Sequence, residues 1–127
     1  METILLVEDS KFLRAATERI FTNAGYRVIC AGDGDEALRL AQSSLPQLIV
    51  LDMLLPKLSG PEVLRSLKKN DLTAHIPVVV LSGLSQNNGP KLVQEGADAF
   101  IEKGLLIENP GRLLEAIVAA LSGIAVP

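Results

Sequence analysis

The chain has 127 residues, 48% of them hydrophobic and 21% charged, and its 12 Lys and Arg against 15 Asp and Glu leave a formal net charge of −3 at pH 7. That length suits one domain around one core, the composition is that of a folded chain rather than a disordered one, and no apolar run approaches the ~18 residues of a membrane span. One cysteine (Cys30) and one histidine (His75) exclude an internal disulfide and a Cys-based zinc cluster, and scattered cations with few aromatics offer no phosphate-neutralising stripe or base-stacking platform for nucleic acid.

Met1, Glu2 and Thr3 lead into ILLVE at 4–8 without a basic stretch or cleavage site, which predicts a cytoplasmic protein. ILLVE is the first predicted strand. Ser10 is the expected N-cap of a helix over KFLRAATERIFTNAG, in which Phe12, Ala15, Ala16, Arg19 and Ile20 recur near the helical period and Gly25 closes the end. RVICA at 27–31 is the second strand, with Cys30 a small core residue. Asp33 or Gly34 opens a helix over DEALRLAQSS, which Pro46 ends, and LIVLD at 48–52 is the third strand. Ser59 caps GPEVLRSLKKN, with Val63, Leu64 and Leu67 facing inward and Lys68 and Lys69 at its solvated end. His75 falls in a loop before PVVVL at 77–81, the fourth strand. SQNNG is turn chemistry ahead of a short fourth helix over PKLVQEG with Pro90 at its first position. AFIE at 99–102 is the fifth strand, and PGRLLEAIVAALSG the fifth helix.

The first, third and fourth strands are continuous apolar runs, as in central parallel strands covered on both faces. Five strands alternating with five helices predict an α/β, doubly wound, three-layer domain over residues 1–127, with its core at 3–122 and a tail at 123–127. In such a sheet the site lies beyond the carboxyl ends of the strands. Glu8 and Asp9 follow the first strand there, Asp52 ends the third, Ser82 follows the fourth and Lys103 the fifth.

A carboxylate such as Asp52 in an apolar run is costly to bury unless it is paired. Three acids at one edge repel, and a shared proton or a cation relieves them. Oxygen ligands suit Mg²⁺ or Ca²⁺, and an incomplete site with room for water suits Mg²⁺. Taken singly, Asp9 and Ser82 read as helix caps and Lys103 as a surface charge; their joint placement on strand ends points to a site. A metabolic enzyme is disfavoured, because no nucleotide-binding glycine loop or G-x-S-x-G elbow is present, and DMLLP lacks the second aspartate of an aspartyl-phosphate hydrolase.

VEDS at 7–10, LDMLLPKLSG at 51–60, VLSG at 80–83 and GADAFIEKG at 96–104 together resemble the CheY-like receiver domain of bacterial two-component response regulators. The resemblance implies a flavodoxin-like (βα)5 fold with sheet order 2-1-3-4-5. It makes Asp52 the acceptor of a phosphoryl group from a histidine kinase or phosphotransfer protein. It makes Asp9 a direct Mg²⁺ ligand, Glu8 a ligand through water, and Asp52 and the backbone carbonyl of Leu54 further ligands. Ser82 would hydrogen-bond the phosphoryl group, Lys103 would pair with its charge, and the N–H groups of Met53 and Gly83 would complete the donors. Ser82 and Phe100 become the switch, read by a downstream protein partner or a second copy of the chain at the face of the fourth helix, fifth strand and fifth helix. Such a domain assists its own phosphorylation and dephosphorylation without being a metabolic enzyme. The alternative is an interaction or dimerisation module that works without phosphorylation.

Some residues depart from the usual receiver pattern. Gly104 stands where many receivers have proline after the lysine; a cis bond to a residue other than proline costs about 2.5–4 kcal/mol, so a trans bond or a looser Lys103 loop is expected. Leu105, Leu106 and Ile107 add apolar surface suited to a partner or dimer contact. Leu54 and Leu84, two residues beyond Asp52 and Ser82, would flank the path of hydrolytic water and slow the loss of phosphate. Phe100 has no hydroxyl to keep hydrated, so its switching should be less sharply gated than that of a tyrosine.

Overall fold

The computed structural model describes residues 2–83, 96–104 and 108–123. Five parallel strands form one sheet: β1 (Thr3–Val7), β2 (Arg27–Ala31), β3 (Leu48–Asp52), β4 (Val78–Ser82) and β5 (Ala99–Glu102), in the order β2-β1-β3-β4-β5. This is the expected doubly wound, flavodoxin-like arrangement. Residues 90–95 of the helix expected over 90–96, together with Leu84 and the apolar stretch at 105–107, lie outside the described residues.

Strand side chains alternate between two cores, as the two-residue period of a strand requires. Leu5, Val7, Ile49, Leu51, Val78 and Val80 point to one face. There they meet Ala37 and Ala41 of α2 (Gly34–Ser44) and Val63, Leu64 and Leu67 of α3 (Gly60–Lys69). Ile4, Leu6, Leu48, Val50, Val79 and Leu81 point to the other. That face is covered by Phe21 of α1 (Lys11–Asn23) and by Leu113, Ala116, Ile117 and Ala120 of the C-terminal helix (Pro110–Ser122). Each fully buried Leu or Ile contributes about 1.5–3 kcal/mol relative to exposure, so the two-sided burial of β1, β3 and β4 makes the sheet centre the rigid platform of the molecule.

Local signals set the helix ends. Ser10, Asp33, Ser59 and Asn109 each accept a hydrogen bond from a backbone N–H of the first turn, and Ser59 forms a full capping box with Glu62. Two details differ from expectation. The inward row of α1 runs through the half-buried Leu13 to the buried Thr17 and Phe21 at i, i+4 spacing, which leaves Phe12 72% exposed. Lys68 is not a solvated helix end; its Nζ donates to the carbonyls of Ala74 at 3.2 Å and Ile76 at 2.8 Å. Its half-buried stem follows the snorkelling habit of lysine, an apolar chain laid on apolar surface with the charge at a polar exit.

The winding reverses at β1, so the crevice expected to hold a ligand opens between the carboxyl ends of β1 and β3. Val7 is paired with Leu51. The next residues, Glu8 and Asp52, therefore emerge side by side.

Candidate functional site

Glu8 and Asp52 are each 1% exposed, while Asp9 is exposed at the rim. One carboxylate oxygen from each of the three lies within 4.8 Å of the others. Burial of two carboxylates at this spacing needs compensation, and Lys103 supplies part of it from the end of β5. Its Nζ donates to Asp52 Oδ2 at 2.7 Å and forms an ion pair with Glu8 Oε1 at 3.1 Å. The loop that carries Lys103 is tied to β4 by its own N–H, which donates to the carbonyl of Ser82 at 2.9 Å. The Lys103–Gly104 peptide is trans.

The other side of the cluster is built by backbone. Ser10 N–H donates to Glu8 Oε2 at 3.1 Å, and Leu54 N–H donates to Asp52 Oδ1 at 3.2 Å. After Asp52 the chain turns so tightly that Gly60 N–H reaches the carbonyl of Met53 at 3.0 Å. A Cβ on Gly60 would sit 2.5 Å from Met53 Cα, so only glycine allows this closure. Met53 N–H, expected among the phosphate donors, donates here to the carbonyl of Leu81 at 3.1 Å. The amide of Leu54, aimed at Asp52, was not singled out from the sequence as a donor; an aspartate bonded to the N–H two residues on is a common turn, and that was the available signal.

The electrostatics follow from burial and crowding. Burial pushes the Glu8 carboxyl above its ordinary range; the Ser10 amide opposes this, the charge of Asp52 adds to it, and Lys103 pulls the other way without reversing it. For Lys103, burial alone would lower the ammonium, but the hydrogen bond and charge of Asp52, followed by those of Glu8, hold it above its usual value. Glu8 Oε1 is buried and has no hydrogen bond within protein geometry, its ion pair to Lys103 apart. A buried carboxylate oxygen with unused lone pairs, facing two more acids, is a donor set suited to a hard divalent cation such as Mg²⁺. The residues present fit such an ion.

Ser82 ends β4 and is buried, Gly83 follows it half-buried, and Leu54 is 64% exposed beside the acids. Phe100 stands 44% exposed on β5, two strand positions before Glu102, the register partner of Ser82. His75 is exposed and Cys30 half-buried against the core, as read from the sequence. Burial pushes the Cys30 thiol up to about 11, which keeps it protonated and unreactive near neutral pH. No helix among the described residues is long and apolar enough to cross a membrane.

The family model of the response regulator receiver domain matches residues 4–118. Among curated proteins, the polar-differentiation response regulator DivK of Brucella anthropi is 31% identical over 121 residues, covering 94% of this chain and 96% of DivK. The transcriptional regulatory protein AfsQ1 of Streptomyces coelicolor is 34% identical over 124 residues, covering 95% of this chain but 51% of AfsQ1, so the chain spans about half the length of that relative. Among solved structures, the Mn²⁺-bound form of response regulator Rcp1 superposes with a TM-score of 0.81 at 27% identity, covering 100% of this chain and 99% of the other.

Proposed function

The chain belongs to the response regulator receiver domain family, and from that premise we propose that it accepts a phosphoryl group on Asp52 from the phosphohistidine of a histidine kinase or phosphotransfer protein. Receiver domains are signalling domains rather than classical enzymes. A carboxylate oxygen of Asp52 forms the new O–P bond as the P–N bond to the donor histidine breaks, and the imidazole leaves with the electron pair. The observation that carries this reading is the convergence of three carboxylates with the Lys103 ammonium at the carboxyl ends of β1 and β3.

Asp9 would hold Mg²⁺ directly and Glu8 through water, with Asp52 and the Leu54 carbonyl as further ligands. Bound there, Mg²⁺ would supply neutralisation of the charge on the transferring phosphoryl oxygens. The protein's own share is positioning. Lys103 pairs with the charge of the phosphoryl group, Ser82 donates its hydroxyl to a phosphoryl oxygen, and Leu54 N–H joins the N–H of Gly83 as a candidate backbone donor, the Met53 N–H being taken by the Leu81 carbonyl. The added charge and acceptor oxygens draw the Ser82 hydroxyl inward, which opens the space into which Phe100 can turn from its exposed position. A protein partner, or a second copy of the chain, reads the change at the face that includes β5 and the C-terminal helix. Residues 3–122 act as one receiver unit in the cytoplasm.

Intact-mass analysis after incubation with acetyl phosphate, with and without Mg²⁺, tests the reading. A Mg²⁺-dependent phosphate adduct that disappears in Asp52→Asn is the expected result. No adduct under these conditions or with candidate kinases would instead support a module that works without phosphorylation.

A further inference from the structure

Arg14, near the start of α1, has no part in the chemistry above, yet it reaches back to the acidic pair. Its Nη1 donates to the backbone carbonyl of Glu8 at 2.9 Å. The Glu8 N–H is held from the opposite side by the carbonyl of Ala31 at 3.0 Å. Glu8 is thus pinned at both its amide and its carbonyl, by two different elements.

The carbonyl matters more than its own hydrogen bond suggests. It lies in the planar peptide that joins Glu8 to Asp9, so fixing its direction fixes the direction in which Asp9 leaves. The two acids depend on this unequally. The Glu8 carboxylate has Ser10 N–H and Lys103 to hold it. The exposed Asp9 carboxylate accepts no hydrogen bond from any described residue, so the backbone is what orients it. Gly32, at the end of β2, completes the arrangement: a Cβ there would lie 3.0 Å from Arg14 Nη1, so the absent side chain leaves the guanidinium its place.

We propose that Arg14 is a positioning residue for the cation site, holding Asp9 in register with Glu8 and Asp52 through the Glu8–Asp9 peptide, with Gly32 as the residue that admits it. The proposal rests on Glu8 and Asp9 being cation ligands, as read above. Its sign is opposite to simple electrostatics. A guanidinium near a cation site repels the cation, so if charge were its whole effect, removing Arg14 would tighten binding.

The test is Mn²⁺ affinity, read from the free-ion paramagnetic resonance signal, for wild type, Arg14→Met and Gly32→Ala, with the backbone ¹³C′ resonance of Glu8 followed in the same proteins. Groups that orient metal ligands typically change affinity by about 10–100-fold when removed. Because Arg14 acts through backbone, Arg14→Met should weaken Mn²⁺ binding by about 10-fold, the low end of that range. Gly32→Ala should weaken it less, and both should shift the Glu8 ¹³C′ resonance upfield while circular dichroism stays native. Gly32→Ala meets only the end of a flexible side chain, so it decides the question if Arg14→Met does not fold. Unchanged or tighter Mn²⁺ binding in the folded variants, or an unmoved Glu8 resonance, overturns the role of Arg14 alone. No Mn²⁺ uptake by wild type, or uptake indifferent to Asp9→Asn, overturns the cation-site reading and this proposal with it.

Discussion

Lys103 Nζ lies 2.7 Å from Asp52 Oδ2 across 51 residues of sequence, and the same ammonium stands 3.1 Å from Glu8 Oε1. One cation therefore compensates two buried carboxylates. Removing one partner of a fully buried pair costs about 3–5 kcal/mol; the Lys103 side chain is 23% exposed, and solvent screening reduces the expected cost of Lys103→Met at neutral pH to about 1–3 kcal/mol. Adding Asp52→Asn should recover much of it, giving a non-additive cycle in urea unfolding. Because Asp52 and Glu8 outweigh burial and raise Lys103, the native state keeps this proton above pH 10.5, where the unfolded chain releases it. The contribution of Lys103 is complete below pH 10.5 and fades as pH rises through the higher native value. Additive losses in the double variant would refute the shared compensation.

Glu8 has the opposite sign. Its carboxyl is raised, chiefly by burial, so between its ordinary value of 4.5 and the higher native value the folded state holds a proton that the unfolded chain has released. Stability falls as pH rises through that window, and above it the ionised Glu8 is a cost. Glu8→Gln should therefore have a higher urea midpoint than wild type at pH 7, and the two midpoints should converge as pH falls below 4.5. A lower midpoint for the variant at pH 7 would mean that the Lys103 ion pair outweighs burial.

These charges were legible in the sequence because parallel strands present their carboxyl ends at one edge. β2, β3 and β5 match the apolar runs residue for residue, and β1 and β4 differ by one position at their ends. Caps at Ser10, Asp33 and Ser59 were also readable, since a short polar side chain ahead of an apolar period has a local meaning. What escaped the sequence depends on acceptors without a residue signature. The carbonyl of Glu8 that Arg14 reaches and the carbonyls of Ala74 and Ile76 that hold Lys68 are backbone groups, brought near only by the tertiary fold. The inward row of α1 escaped for a related reason: Phe12 and Phe21 weigh equally in a periodicity, and only the position of the sheet selects Phe21.

Lys57 lies in the left-handed region at φ 69, within the loop that follows Asp52. An L-residue there is strained by about 1–2 kcal/mol, and the ion pair to Asp33 at 3.5 Å joins a largely exposed lysine, worth little in water. Comparing Lys57→Gly with Lys57→Ala removes the ion pair from both and leaves the backbone difference. Glycine should be the more stable by about 1 kcal/mol, after subtracting its larger unfolded-state entropy. Equal unfolding free energies would mean that the loop relaxes around alanine.

Leu54 combines two features that bear on how long a phosphoryl group would persist on Asp52. Its N–H donates to Asp52 Oδ1 at 3.2 Å, which fixes the side chain beside the acceptor, and that side chain is 64% exposed. A water attacking the phosphorus must be oriented, and leucine offers it no donor or acceptor while covering part of its approach. Asparagine at the same place offers both. One added hydrogen bond to the attacking water, realised fully in the transition state, is worth about 1.4 kcal/mol or tenfold in rate. Leu54→Asn should therefore shorten the lifetime of the phosphorylated protein by roughly tenfold, measured as decay of the mass adduct after the donor is removed, whereas Leu54→Met should leave it near the wild-type value. If Met and Asn shorten the lifetime alike, shape rather than water orientation governs the decay; if neither does, the exposed face of Leu54 lies off the water's path.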